Sequence, residues 1–190
     1  TGDGWGSDAD AILALEYAMK NGATVINSSW GGEEFGQALF DAFKATSDAG
    51  IINVVAAGNN GVELGMNMPS QYPAMFVIPQ LYTVAALYET NILIPFWSNF
   101  GRSFVHLSAG GHEITSTVPG GYARMSGTSM ASPGIAGSVG LIKSYRPNLT
   151  GAELDALFNK YILGDKSSIS AVHYRGRPDM MKIFKYLSTH

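Results

Sequence analysis

The chain has 190 residues, 46% of them hydrophobic and 14% charged, with 23 glycines and a formal net charge of −3. That length is enough to bury one sizeable core, and so few charges argue for a compact chain over a disordered one. There is no basic block, no cysteine and no apolar run approaching the roughly 20 residues that cross a bilayer, which argues against nucleic-acid binding, disulfide or thiolate chemistry and a membrane span.

The start, Thr1-Gly2-Asp3-Gly4-Trp5-Gly6, has no initiator Met and no apolar signal segment, and reads as the interior of a longer protein. Ser7-Asp8 caps a helix expected to run to about Asn21, with Ile12, Leu15 and Met19 on one face and Asn21-Gly22 as its stop. Residues 24–28 (TVINS) read as a short buried strand that leaves into Trp30-Gly31-Gly32. A second amphipathic helix is expected over 34–49, with Leu39, Phe40 and Phe43 facing inward. The continuously apolar run 51–57 (IINVVAA) reads as a central parallel strand. A Gly, Asn and Pro-rich loop follows over 58–76, then strands at 81–86 and 104–107. Residues 127–145 read as a turn feeding a buried helix that ends before Pro147. A further helix is expected at about 151–161, a hairpin within 164–177, and a last helix at 178–187. No repeat or linker divides the chain, so residues 1–190 read as a single α/β unit with a parallel sheet flanked by helices.

Three segments carry chemistry. Ser126-Gly127-Thr128-Ser129-Met130-Ala131-Ser132-Pro133 places Ser129 at a helix N-terminus, where unpaired N–H groups and the positive end of the dipole favour a developing anion. A serine there also serves as a plain helix cap. The G-T-S-M-A-[ST]-P string, however, arises by chance only about once in 10⁹ positions at average residue frequencies. Val54-Val55-Ala56-Ala57-Gly58-Asn59-Asn60-Gly61 sets Asn59 just past the carboxyl end of a central strand, the edge where ligand sites gather in open α/β sheets. Taken alone, Asn59 reads equally well as a turn residue tolerating left-handed geometry. The third segment is Val25-Ile26-Asn27-Ser28-Ser29-Trp30-Gly31-Gly32.

Together these segments resemble the subtilisin-like serine proteases, in the family's order and at its intervals. Further likeness lies in Pro69-Ser70-Gln71-Tyr72-Pro73-Ala74, Trp97-Ser98-Asn99-Phe100-Gly101 and residues 114–121. The resemblance implies the family's three-layer fold, with its N-terminal part not included. It makes Ser129 the nucleophile, and the Asn59 side-chain amide and the Ser129 N–H the oxyanion donors. In subtilisin itself, loss of the asparagine donor costs about 2.7–4 kcal/mol of transition-state stabilisation. Ser29, Trp30 and Gly31 would line a groove that takes an extended polypeptide substrate as an added strand. Ala56, Ala57 and Gly58 would wall the primary specificity pocket. Trp30 stands where the family commonly has Leu, and reads equally as a subsite wall or as core packing.

In this family the triad Asp and His precede the serine in the chain, and neither motif occurs in these residues. His106, His112, His173 and His190 all lack the H-G-T context and read as surface or loop residues. The expectation is therefore an endopeptidase whose base and orienting acid lie on an upstream segment, the expected partner, with 1–190 inactive alone. The alternative is a peptide-binding pseudoprotease that keeps the groove. No cofactor is required for such chemistry. The resemblance allows structural Ca²⁺, but Asp3, Asp8 and Asp10 do not have the spacing of an EF-hand loop, and no ligand set is assigned. A secreted or cell-envelope location is a guess from the family alone. Two departures from the family stand out: Gly134-Ile135-Ala136-Gly137 where it has His-Val-Ala-Gly, and His106-Leu107-Ser108-Ala109-Gly110-Gly111 where it has D-L-x-A-P-G.

Overall fold

The computed structural model describes residues 6–65, 70–88, 96–164 and 171–190. The readings at Thr1–Trp5 (including Asp3), at Pro69 and over the middle of the hairpin at 165–170 lie outside the described residues. Helix α1 (Asp8–Lys20) opens with a capping box: Ser7 Oγ accepts from Asp10 N, and the Asp10 carboxylate reaches back to Ser7. It ends at Asn21, with Gly22 at φ 76°. Strand β1 (Val25–Ser28), helix α2 (Gln37–Asp48), strand β2 (Ile52–Ala56) and strand β3 (Leu81–Leu87) follow. Next come β4 (Leu107–Gly110), the hairpin β5 (Ile114–Val118) and β6 (Gly121–Met125), and the long helix α3 (Thr128–Tyr145). Helix α4 (Gly151–Lys160), the antiparallel pair β7 (Ile162–Gly164) and β8 (Gly176–Pro178), and α5 (Met180–Leu187) complete the described chain.

The main sheet has the order β1-β2-β3-β4, every pair parallel. Alternation along β2 explains the layering. Ile52 and Val54 face α3, α4 and α5 in one core, while Val55 faces Leu15 of α1 and Leu39 and Phe43 of α2 in the other. A strand apolar on both faces must be covered on both, which gives the expected helix–sheet–helix arrangement. Among the described residues, no helix is long and apolar enough to cross a membrane.

Four details depart from the sequence reading. β1 is only half-buried, with Asn27 exposed, because it is an edge strand among the described residues. α2 begins three residues later than 34, leaving Glu33 and Glu34 exposed ahead of it. The strand expected at 104–107 lies at 107–110, because Phe104 N and Val105 N are drawn into a turn on the Gly101 carbonyl. The β5–β6 hairpin was not anticipated: its two strands are five residues each and largely exposed, too short and too little buried to stand out in sequence.

His106 sits just before β4 and packs against Tyr82, His173 and Tyr174, while Tyr82 and Tyr174 both donate to Asp155 Oδ1 at 2.6 Å. Its Nδ1 accepts the Thr83 N–H at 3.0 Å, an acceptor role that the family's carboxylate could equally fill. Burial, with His173 adding to it, pushes this imidazole down to about 4 from the usual 6.5. Between those values the unfolded chain takes up a proton that the folded chain refuses, so stability falls as pH drops from about 6.5 and levels off below about 4. The loss reaches about 3 kcal/mol. His106→Asn keeps an acceptor for Thr83 but cannot be protonated there. Its stability deficit relative to the parent, measured by urea unfolding, should shrink by about that amount between pH 7.5 and pH 4. A constant gap would show that His106 does not titrate across unfolding.

Candidate active site

The site forms where the chain leaves the carboxyl ends of β1 and β2 and where α3 begins. After β2 the backbone turns at Gly58 with φ 96°, and a Cβ there would lie 2.6 Å from Asn99 Nδ2. Only glycine allows both the dihedral and the close approach. Asn99 is fully buried and pins this loop from behind: its Nδ2 donates to Ala57 O at 2.9 Å, and its Oδ1 accepts from Asn60 N at 2.9 Å and Val62 N at 3.2 Å. In the sequence Asn99 stands only within the resembling turn 97–101, with nothing local to mark it.

The loop then presents Asn59 to the first turn of α3. Asn59 Oδ1 accepts from Thr128 N at 2.9 Å and from Thr128 Oγ1 at 3.1 Å, and Thr128 Oγ1 in turn accepts from Gly58 N at 3.0 Å. A backbone N–H can only donate, so the oxygen of the amide must face Thr128. The orientation of Asn59 is thereby fixed, and its Nδ2 has no partner among the described residues. That nitrogen faces Gly127, where a Cβ would stand 3.4 Å from it, next to the first free N–H groups of α3. The structure thus brings Ser129, Asn59 and a helix N-terminus together, as the sequence suggested.

Pro133, the sixth residue of α3, has no N–H to give to the carbonyl four residues earlier, which is that of Ser129. Ser29 supplies the missing donor: its Oγ bonds Ser129 O at 2.9 Å. Ser29 Oγ accepts from Asn27 Nδ2 at 2.9 Å, and Asn27 Oδ1 accepts from Ser132 Oγ at 2.9 Å. The Ser129 hydroxyl donates back to Ser29 O at 3.0 Å. Two serines 100 residues apart are therefore joined by reciprocal bonds.

Two cavities meet at this point. One of about 220 Å³ is lined by Trp30, Gly31, Ala56, Gly58, Asn60 and Gln71, and touches Asn59, Thr128 and Ser129. The other, of about 620 Å³, runs past Ser29, Trp30, Gly31 and Tyr72 toward the start of α1. Trp30 borders both; it is 41% exposed, its ring tilted against Phe43 with centroids 6.0 Å apart, so it is more wall than core. Ala57 turns away into the core with Leu64, Ala74 and Ala85, leaving Ala56 and Gly58 on the cavity. Trp30 and Gly31 make no backbone hydrogen bond among the described residues, whereas Gly32 is bridged to Tyr72. Gln71 went unsingled in the sequence, because only folding brings it to this cavity.

None of the four histidines bonds to Ser129. His106 and His173 belong to the Tyr82 cluster, His112 stands by Tyr88, and His190 stacks on Tyr186 at 4.3 Å.

The profile of the subtilase family (peptidase S8) matches residues 1–171. The chain is 35% identical over 148 residues to subtilisin-like protease 2 of Plasmodium falciparum, covering 75% of this chain and 11% of that protein. It is 39% identical over 164 residues to subtilisin-like protease 6 of Arthroderma gypseum, covering 77% and 38%. With the thermostable alkaline protease of Halalkalibacterium halodurans it shares 33% over 159 residues, covering 83% and 42%. The crystal structure of a cold adapted subtilisin-like serine proteinase superposes with a TM-score of 0.76 at 29% identity, covering 90% of this chain and 63% of that one. The chain thus spans less than half the length of these curated relatives.

The pairing of Ser29 with the carbonyl freed by Pro133 can be tested by a double-mutant cycle. Ser29→Ala should cost about 1–2 kcal/mol, the price of an unpaired half-buried carbonyl and a broken network. In a Pro133→Ala background the restored N–H satisfies Ser129 O, and the same substitution should cost about 1 kcal/mol less. Equal costs in both backgrounds, from urea unfolding, would refute the assignment.

Proposed function

The chain belongs to the subtilase family, and from that premise we propose that it is the nucleophile-bearing part of a serine endopeptidase. In this reading Ser129 Oγ attacks a peptide carbonyl, and the developing oxyanion is held by Asn59 Nδ2 and the Ser129 N–H. The observation that carries it is the oriented Asn59 amide, whose oxygen is committed to Thr128 while its nitrogen is left free beside the α3 N-terminus. A donor fixed before the reaction need not reorganise during it, which is where oxyanion stabilisation gains its strength. The polypeptide substrate would lie along Trp30 and Gly31, whose free backbone groups suit an added strand.

The base and its orienting carboxylate would come from an upstream segment of the same protein. Ser129 donates its proton to a backbone carbonyl here, and a carbonyl cannot act as a base toward it. One feature suits the docking of such a segment: the outer edge of β1 has no strand partner among the described residues, and an open parallel edge invites one. The chemistry so drawn uses a hydroxyl, two N–H donors and an imidazole–carboxylate pair, and calls for no cofactor.

Fluorophosphonate labelling of Ser129, read by intact mass, tests this with 1–190 alone and joined to its native upstream segment. Labelling only in the joined protein, abolished by Ser129→Ala, is the expected result. Robust labelling and cleavage by 1–190 alone would contradict the need for an upstream base. No labelling in either form would favour a peptide-binding relative that has lost catalysis.

A further inference from the structure

Gln71 lies 58 residues before Ser129 in sequence, in the resembling segment 69–74, and its side chain stands between the two backbone segments that face each other across the 220 Å³ cavity. A Cβ built on Gly31 would lie 2.5 Å from Gln71 Nε2, and one built on Gly58 would lie 3.0 Å from both Cδ and Oε1. The carboxamide therefore spans the slot from Gly31 to Gly58. The backbone that carries it is held on both sides: Tyr72 N and O both bond to Gly32, at 2.7 and 2.9 Å, and Gln71 O accepts from Met75 N at 2.8 Å. The amide itself has no hydrogen-bond partner among the described residues. One donor group and one acceptor oxygen thus face a cavity that also touches Ser129 and Asn59.

Resting on the proposed protease reading, we propose that Gln71 selects the substrate residue whose carbonyl Ser129 attacks, and that this residue carries an uncharged carboxamide, glutamine or asparagine. A carbonyl seated between Ser129 and Asn59 brings its own side chain into this cavity, because the cavity opens directly on both. Three side-chain classes fit it poorly. A flat aromatic ring needs the slot between Gly31 and Gly58, which Gln71 fills. A charged side chain finds no counter-ion, since no ionisable residue lines the cavity, and would lose hydration without compensation. An aliphatic side chain covers the Gln71 amide and leaves it unpaired. A carboxamide donates to Oε1 and accepts from Nε2 through two separate atoms, matching the Gln71 amide group for group where a hydroxyl offers a single oxygen, with Asn60 beside it on the wall.

The test separates binding from catalysis. Fluorescein-labelled Ala-Ala-Pro-Xaa-Ala-Ala peptides, with Gln, Met or Phe at Xaa, are titrated by anisotropy against the protein carrying Ser129→Ala, joined to its upstream segment. The Gln peptide should bind about ten-fold more tightly than the Met peptide, its near isostere, and than the Phe peptide. Gln71→Met, which keeps the volume and loses the amide, should erase the preference for Gln over Met. Gln71→Gly should open the slot and raise affinity for the Phe peptide about ten-fold; circular dichroism verifies that each variant is folded. Equal binding of the three peptides, an unchanged ranking in the Gln71 variants, or no saturable binding would overturn the proposal. Should the preference hold while Ser129 resists fluorophosphonate in the parent, the specificity assignment stands and the catalytic reading falls.

Discussion

The first turn of α3 is the constraint on which the site depends. A helix start leaves N–H groups without partners, and Pro133 additionally leaves the Ser129 carbonyl without one. Asn59 takes one of those N–H groups, that of Thr128, and Ser29 satisfies that carbonyl. Each repair comes from a different strand end, so the turn can be completed only when β1 and β2 are in register and α3 lies across them. The same repairs orient the groups that chemistry would use. Committing the Asn59 oxygen to Thr128 exposes its nitrogen, and committing the Ser29 hydroxyl to Ser129 places the two serines face to face.

The sheet explains why these pieces meet. With β1 and β2 parallel and adjacent, the chain leaves both at the same end, and segments 29–32 and 57–62 emerge as neighbours. Asn99 holds the second segment through three side-chain bonds from a fully buried position. The far portion of the domain, with its Tyr82, Asp155, Tyr174 and His106 cluster, takes no part in the site; its role is to close the core beneath β3 and β4. A substitution there acts on stability, whereas one at Asn99 or Ser29 reaches Ser129 through one or two bonds.

Much of this was legible in the sequence, for identifiable reasons. The apolar run at 51–57 had to be a strand covered on both faces, and the cap at Ser7 marked a helix start. Ser129 and Asn59 stood out because each lies within a short contiguous string. What stayed hidden depends on contacts distant in sequence. Nothing near Ser29 announces that its hydroxyl answers a proline 104 positions later, and Gln71 acquires meaning only when Gly31 and Gly58 close on it. Ala57 looked like pocket wall by its place in the string, but strand alternation sends it to the core. The β5–β6 hairpin, short and largely exposed, has no buried face to mark it in sequence.

In the proposed reaction the Asn59 nitrogen and the Ser129 hydroxyl act on one and the same carbonyl. The most direct measurement is the second-order rate at which a fluorophosphonate modifies Ser129 in the protein joined to its upstream segment, comparing Asn59 with Asn59→Leu. If Asn59 stabilises the anion formed on attack, the rate should fall by about 10²–10³ with the fold intact. An unchanged rate would show that Asn59 serves only to close the turn, and that the anion, if one forms, is held elsewhere.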